Sequence, residues 1–147
     1  MVQMNNKRKN TTAVIIHCSE TLPELDLGGA DIDRLHRIDG RLSCGYHKII
    51  RRDGTVENGR RLDLAGLHLQ NTMKECLITN QNSIGICLIG GKPDCNFTIQ
   101  QFIALETLIK YLKKFYGEEI TVLGYRDVSN SPSPHFDVKE FLGSSPL

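Results

Sequence analysis

The sequence predicts an α/β domain in which helices flank a central mixed β-sheet. Short runs rich in β-branched residues alternate along the chain with segments of helical periodicity, an order typical of a sheet covered by helices. The chain has 147 residues, enough for one domain with a hydrophobic core. Apolar residues make up 39% and charged residues 24%, which indicates a globular rather than a disordered protein.

Four apolar runs and one turn account for the predicted sheet. We predict buried strands at residues 12–18, 45–50, 83–89 and 119–123. The sequence Arg52-Asp53-Gly54 is a hairpin turn signal that leads into a further short strand at 55–57.

Three helices follow from periodicity and from capping residues. Residues 30–38 place apolar side chains roughly on one face. The strongest helical pattern lies within 97–116, with Thr98 as N-cap and Gly117 as the stop. Its predicted buried face comprises Phe102, Leu105, Leu108, Ile109, Leu112 and Phe115. Asp137 begins a short final helix, and residues 66–82 are predicted to form a long loop.

The ends and the overall charge limit the classes of function. Residues 1–11 are predicted to be a mobile polar arm, followed by one domain at 12–147. A net charge of +1 argues against nucleic acid as a partner. No apolar run is long enough to span a membrane, and no signal peptide is visible. We therefore expect synthesis in the cytoplasm, with any action on the cell wall needing a holin or another route of release.

The five cysteines do not predict a disulfide framework. Their number is odd, their spacing is irregular and no CxxC pair occurs, which also argues against a zinc finger. Cys18 and Cys87 lie in predicted strands, where buried, reduced cysteines are expected.

His17 lies at the end of the first predicted strand, where a histidine alone is usually structural. Several motifs in a fixed order accompany it: AVIIHCS at 13–19, GYHKIIRRDGTVENGR at 45–60, His68, NSIGICLIGG at 82–91 and GYRDVSNSPSPHFDV at 124–138. Together they resemble the N-acetylmuramoyl-L-alanine amidases of bacteriophages and the related peptidoglycan recognition proteins. The resemblance covers nearly the whole chain and implies the fold of that family.

The resemblance implies a zinc hydrolase that cleaves the amide between the muramic lactyl group and L-alanine. Two histidines and a cysteine hold the zinc ion in such proteins, and a water occupies the fourth position. By position, His17 matches the first zinc histidine and Tyr46 matches a tyrosine that assists catalysis. His68 matches a histidine near the substrate cleft.

Three other positions depart from the family pattern. Tyr125 stands where the second zinc histidine is expected, Ser133 where the cysteine is expected, and Ser131 where an assisting lysine is expected. A neutral serine hydroxyl is a poor zinc ligand, and a tyrosine phenol is mostly protonated at neutral pH. We therefore expect a degenerate zinc site, no bound cofactor and impaired catalysis, with Tyr125, Ser131 and Ser133 lining a binding cleft.

A rearranged metal site is the alternative. His135 follows Ser133 by two residues and could join His17 in binding zinc, with Asp127 or His47 as a further ligand. Otherwise His135 is a partly exposed loop residue.

Three functions remain open from the sequence. The first is recognition of peptidoglycan or a muropeptide without cleavage, and the second is an active amidase with a rearranged metal site. The third is a protein-binding module, such as a phage RNA polymerase inhibitor. We expect a monomer.

Overall fold

The computed structural model describes residues 6–41 and 43–143, so residues 1–5 of the predicted arm and 144–147 of the predicted domain lie outside the described part. The strands are β1 (Ala13–Cys18), β2 (Lys48–Ile50), β3 (Val56–Asn58), β4 (Ser83–Leu88) and β5 (Thr121–Gly124). The helices are α1 (Gly29–Ile38), α2 (Ile99–Tyr116) and α3 (Val138–Gly143), and a 3-10 turn spans Tyr125–Asp127.

The five strands form one mixed sheet in the order β3-β2-β4-β1-β5. β1 lies parallel to both β4 and β5, β2 is parallel to β4, and only β3 is antiparallel to its neighbour among the described strands. Every residue of β1 and β4 is buried, as expected for central strands covered on both faces. The predicted fold class is confirmed, and the carboxyl ends of β1, β4 and β5 meet at one end of the sheet.

The side chains of β1 alternate between two separate cores. Val14, Ile16 and Cys18 belong to the large cluster formed with α2. Ala13 and Ile15 belong to a smaller cluster on the other face. Because neighbouring side chains in a strand point to opposite faces, His17 lies on the side of the smaller cluster and Cys18 on the side of α2.

Helix α2 has the predicted ends but a different buried face. Thr98 is the N-cap and Gly117 the C-cap. The predicted burial of Phe115 is wrong, since 67% of it is exposed. The buried positions are Gln101, Leu105, Leu108, Ile109 and Leu112. This stripe continues to Tyr116 rather than Phe115, since Tyr116 packs against the same core.

Gln101 is buried despite its polarity, because its side-chain amide donates to two backbone carbonyls. Those carbonyls belong to Ile50, at 3.2 Å, and Ile89, at 2.9 Å. The amide thereby joins the first turn of α2 to the ends of two strand segments. An alternation or periodicity pattern counts only apolar residues, so it does not identify such a position.

Residues 6–11 of the predicted arm lie against the domain. Lys7 forms a β-bridge with Leu64. The Arg8 guanidinium donates to the Leu64 carbonyl at 3.1 Å and to the Tyr116 hydroxyl at 3.1 Å. The mobility of the arm as a whole stays a prediction. In the described ranges, no helix is both long enough and apolar enough to cross a membrane.

Candidate active site

Three aromatic side chains surround His17 at the carboxyl end of β1. The ring of Tyr125 lies closest, with its centroid 4.5 Å from that of His17 and the planes tilted by 31°. The rings of Tyr46 and His68 each lie 5.0 Å from His17 and meet it edge to face. The fold therefore brings His17 together with three other residues from the sequence motifs, namely Tyr46, His68 and Tyr125.

A chain of hydrogen bonds fixes how His17 is protonated. The Ser83 hydroxyl lies 2.6 Å from the Thr79 carbonyl and donates its single hydrogen to it. Ser83 Oγ therefore accepts from Nε2–H of His68, 3.2 Å away. His68 Nδ1 is then an acceptor, so that Nε2–H of His17 donates to it over 2.9 Å. The Nε2 atom of His17 is thus engaged within the protein.

Burial makes this cluster electrically neutral at physiological pH. His17 is 3% exposed and His68 is 6% exposed. Burial, with a smaller contribution from the charge of nearby Arg41, lowers the pKa of His17 to about 3. Burial also holds the pKa of His68 well below its ordinary value. Desolvation raises the pKa of Tyr46 well above its ordinary value, so its phenol keeps its proton.

Tyr125 covers one side of the ring cluster around His17. Its ring packs on His17, and its hydroxyl donates to the backbone carbonyl of Gln70 in the long loop that follows β3. The hydroxyl is therefore engaged as a neutral donor at a loop carbonyl, and a neutral hydroxyl is a poor zinc ligand.

Ser133 and Ser131 are also engaged in hydrogen bonds. Ser133 is 3% exposed, and its hydroxyl oxygen accepts from the backbone N–H of Cys18 at 2.9 Å. The Ser131 hydroxyl oxygen accepts from the backbone N–H of Ser133 at 3.2 Å. Both serines organise the loop before α3.

Comparisons with known proteins agree with this architecture. A model of the family described as N-acetylmuramoyl-L-alanine amidase matches residues 7–135. The endolysin of Klebsiella phage KP32 is 39% identical over 146 residues, covering 96% of this chain and 91% of the relative. The endolysin of Escherichia phage T7 is 38% identical with the same coverage of both chains. This chain belongs to the N-acetylmuramoyl-L-alanine amidase family.

A solved structure of the same family has a similar fold. The N-acetylmuramoyl-L-alanine amidase LysC from Clostridium intestinale URNW superimposes with a TM-score of 0.76 at 26% identity. The match covers 91% of this chain and 84% of the other. The amidase scaffold is therefore preserved over most of the chain.

The residues at the usual zinc position of the amidase family do not fit a zinc ion here. His17 retains one imidazole, whose Nε2–H is used in the bond to His68, so that only its Nδ1 could bind a metal. Tyr125 and Ser133 carry neutral hydroxyls whose hydrogen-bonding capacity serves backbone groups. Zinc sites need thiolate, imidazole or carboxylate ligands, and only one such group remains of the expected three.

The structure does not assemble the rearranged site around His17 either. Asp127 accepts from the backbone N–H of Gly124 at 2.9 Å. His47 accepts from the N–H of Gly85 at 3.0 Å and donates to the carbonyl of Leu64 at 2.8 Å. Its ring nitrogens are both occupied in the core.

His135 instead contacts a different pair of residues. Its Nε2 is hydrogen-bonded with the Glu20 carboxylate, which also accepts from the Cys18 thiol at 3.5 Å. Among residues 6–41 and 43–143, one group of three side chains has its possible metal-ligand atoms within 4.8 Å of one another. It consists of Cys18, Glu20 and His135, and His17 is not a member. Glu20 lies outside the sequence motifs, and its spacing of two from Cys18 is only a weak signal.

Proposed function

We propose that this member of the amidase family recognises peptidoglycan or a muropeptide without hydrolysing it. The observation that supports this most strongly is the engagement of Tyr125 and Ser133, since each hydroxyl bonds to a backbone group. A hydrolytic zinc site needs an open coordination position and an acidified water. The neutral, buried cluster at His17 supplies neither.

Retention of the scaffold supports the recognition half of the proposal. The rings of Tyr46 and His68 both lie beside His17, each with its centroid 5.0 Å from that of His17. Tyr125 and the loop residue Gln70 form the outer wall of this cluster. We expect a muropeptide to bind over this wall as a monomeric complex, after the protein reaches the cell wall through holin-type release.

The catalytic half is tested by restoring the missing ligands. Tyr125→His together with Ser133→Cys is expected to take up one more zinc per chain than the wild type. Purified sacculi treated with this variant should release free stem peptide, and a chelator should stop the release. Tyr125→Phe together with Ser133→Ala changes the same positions without adding ligands, and should release none.

The wild-type protein provides the decisive comparison. Chelator-sensitive release of stem peptide by the wild type would show an active amidase and contradict the proposal. Recognition is measured separately, by cosedimentation of the wild type with sacculi. Failure to cosediment would contradict recognition even if hydrolysis is absent.

A further inference from the structure

Three ligand-type side chains converge beside the carboxyl end of β1. Cys18 Sγ, Glu20 Oε1 and His135 Nε2 all lie within 4.8 Å of one another. The thiol and the imidazole both direct a hydrogen to the same carboxylate oxygen. Protons therefore occupy the space between the three groups where a cation would lie.

The backbone around this cluster is shaped to bring the side chains together. Glu20 has a φ of 58° and His135 a φ of 73°, an uncommon left-handed conformation for residues with a side chain. Gly91 leaves room beside them, since a Cβ there would lie 2.5 Å from Cys18 Sγ and 3.4 Å from Cδ2 of His135. Three separate segments thus meet at one point with a small residue where space is needed.

We propose that Cys18, Glu20 and His135 bind a zinc ion that joins the end of β1 to the loop before α3. A thiolate, an imidazole and a carboxylate are the ligand types that zinc takes in proteins, and three of them leave one tetrahedral position to water. On binding, the S–H bond breaks, a Zn–S bond forms and the thiol proton leaves to solvent. The imidazole hydrogen transfers through solvent from Nε2 to Nδ1, which frees the Nε2 lone pair for the metal.

The charges of this set match those of the ion. A thiolate and a carboxylate together carry two negative charges, which a divalent zinc ion neutralises. The Glu20 side chain is 44% exposed and that of His135 is 15% exposed, so the ion has access from solvent, while Cys18 is buried and anchors it.

This site differs from the usual zinc position of the family. His17 and Cys18 are neighbours in β1 and therefore lie on opposite faces of the sheet. The proposed ion would lie on the side of α2, away from the ring cluster around His17. The inference needs no hydrolysis and no muropeptide binding, so it stands or falls independently of the proposed function.

Cobalt titration tests the site directly. The full-length protein is stripped of metal and titrated with Co²⁺, which reports tetrahedral thiolate coordination through its absorption spectrum. We expect one equivalent of Co²⁺ with a sulfur-to-cobalt charge-transfer band, displaced by Zn²⁺. Glu20→Gln and His135→Gln should each weaken binding more than about tenfold, because each removes a ligand.

Two control variants separate this site from other cysteines and from His17. Cys95→Ser removes an exposed cysteine outside the cluster and should leave the titration unchanged. His17→Asn should also leave it unchanged. Loss of cobalt binding in His17→Asn would overturn the proposal. So would binding by Glu20→Gln and His135→Gln that is as tight as binding by the wild type, or a wild type that does not bind one equivalent of Co²⁺.

Thermal unfolding gives a second readout that does not depend on a chromophore. With free zinc at about one hundred times the wild-type Kd, Tm should rise by roughly 5–10 °C in the wild type and by no more than about half of that in His135→Gln, whose Kd is more than about tenfold higher. Cys18 is buried and its substitution can prevent folding. The two partly exposed ligands, Glu20 and His135, therefore decide the outcome.

Discussion

Burial suppresses the charge of two histidines, His17 and His47. His17 and His47 are almost completely buried, and desolvation lowers their pKa values to about 3 and about 4. Each is held by a hydrogen bond that a neutral imidazole satisfies. Their role in the folded protein is therefore that of neutral polar groups.

This burial predicts that acid destabilises the protein. The unfolded chain takes up protons near pH 6.5, whereas folded His17 and His47 take them up only near 3 and 4. The contribution of these two histidines to the free energy of unfolding is therefore fully present above about pH 7. It is lost as the pH decreases below about 6.5, by about 1.4 kcal/mol per pH unit for each histidine. Urea unfolding at several pH values between 7 and 5 measures the slope.

A single substitution checks which group is responsible. In His47→Asn, the Asn carbonyl can accept from Gly85 as Nδ1 of the imidazole does. The slope of unfolding free energy against pH should decrease by about 1.4 kcal/mol per unit. An unchanged slope would show that His47 does not titrate as its burial requires.

At the level of secondary-structure elements, α2 depends on its first turn. The Thr98 hydroxyl oxygen accepts from the N–H of Gln101 at 3.1 Å, and the hydroxyl donates to the carbonyl of Arg52 at 2.7 Å. The cap thus also ties α2 to the turn between β2 and β3.

Thr98→Ala should lower the free energy of unfolding by about 1–2 kcal/mol, since it removes both the cap and the bond to Arg52. Thr107→Ala is the matched control, because the Thr107 hydroxyl is exposed and bonds only within the same helix, to Ile103. Urea denaturation of both variants gives the comparison. Equal losses in the two variants would contradict a capping role.

The elements were largely predictable, whereas their contacts were not. The β-branched run at β1 and the cap signals of α2 are local patterns, and the structure places both elements where those patterns indicate. The strand predicted at 45–50 begins only at Lys48. Gly45 instead contacts the loop at Leu67, whose N–H donates to its carbonyl at 3.0 Å.

In the candidate site too, the residues could be predicted from the sequence but their contacts could not. Motif positions identified Tyr125 and Ser133, but their partners Gln70 and Cys18 are 55 and 115 residues away in sequence. Ser83, which orients His68, begins β4 and lies in the 82–91 motif, but that motif does not indicate the contact with His68. Long-range hydrogen bonds of this kind leave no local periodicity, so only the folded structure identifies them.

For the whole molecule, Arg8 connects the first described segment to distant parts of the domain. It donates to the carbonyls of Leu62 and Leu64 and to the hydroxyl of Tyr116, and lies 5.6 Å from the centre of the Tyr116 ring. Burial lowers the pKa of Arg8 from its ordinary value, though neighbouring Tyr116 opposes this. One side chain thus joins the N-terminal segment, the turn after β3 and the end of α2.

Arg8→Met should lower the free energy of unfolding by about 1–3 kcal/mol, because the carbonyl of Leu62 and the hydroxyl of Tyr116 lose the donor that Arg8 provides, whereas the carbonyl of Leu64 still accepts from His47. Lys9→Met is the control, since Lys9 is exposed. Chemical denaturation of the full-length variants measures both. A loss no larger than that of Lys9→Met would show that the hydrogen bonds of the Arg8 side chain contribute nothing to the stability of the domain.

The alternation of β1 has an evolutionary consequence. The alternate residues of β1 that end at His17 lie on the same face of the sheet as Tyr125 and His68. The other residues of β1, which end at Cys18, lie on the face that α2 covers. Selection can therefore act on the two sets separately, because substitutions without shared contacts have nearly additive effects. A lineage could lose a ligand on one side of this strand and acquire one on the other in independent steps.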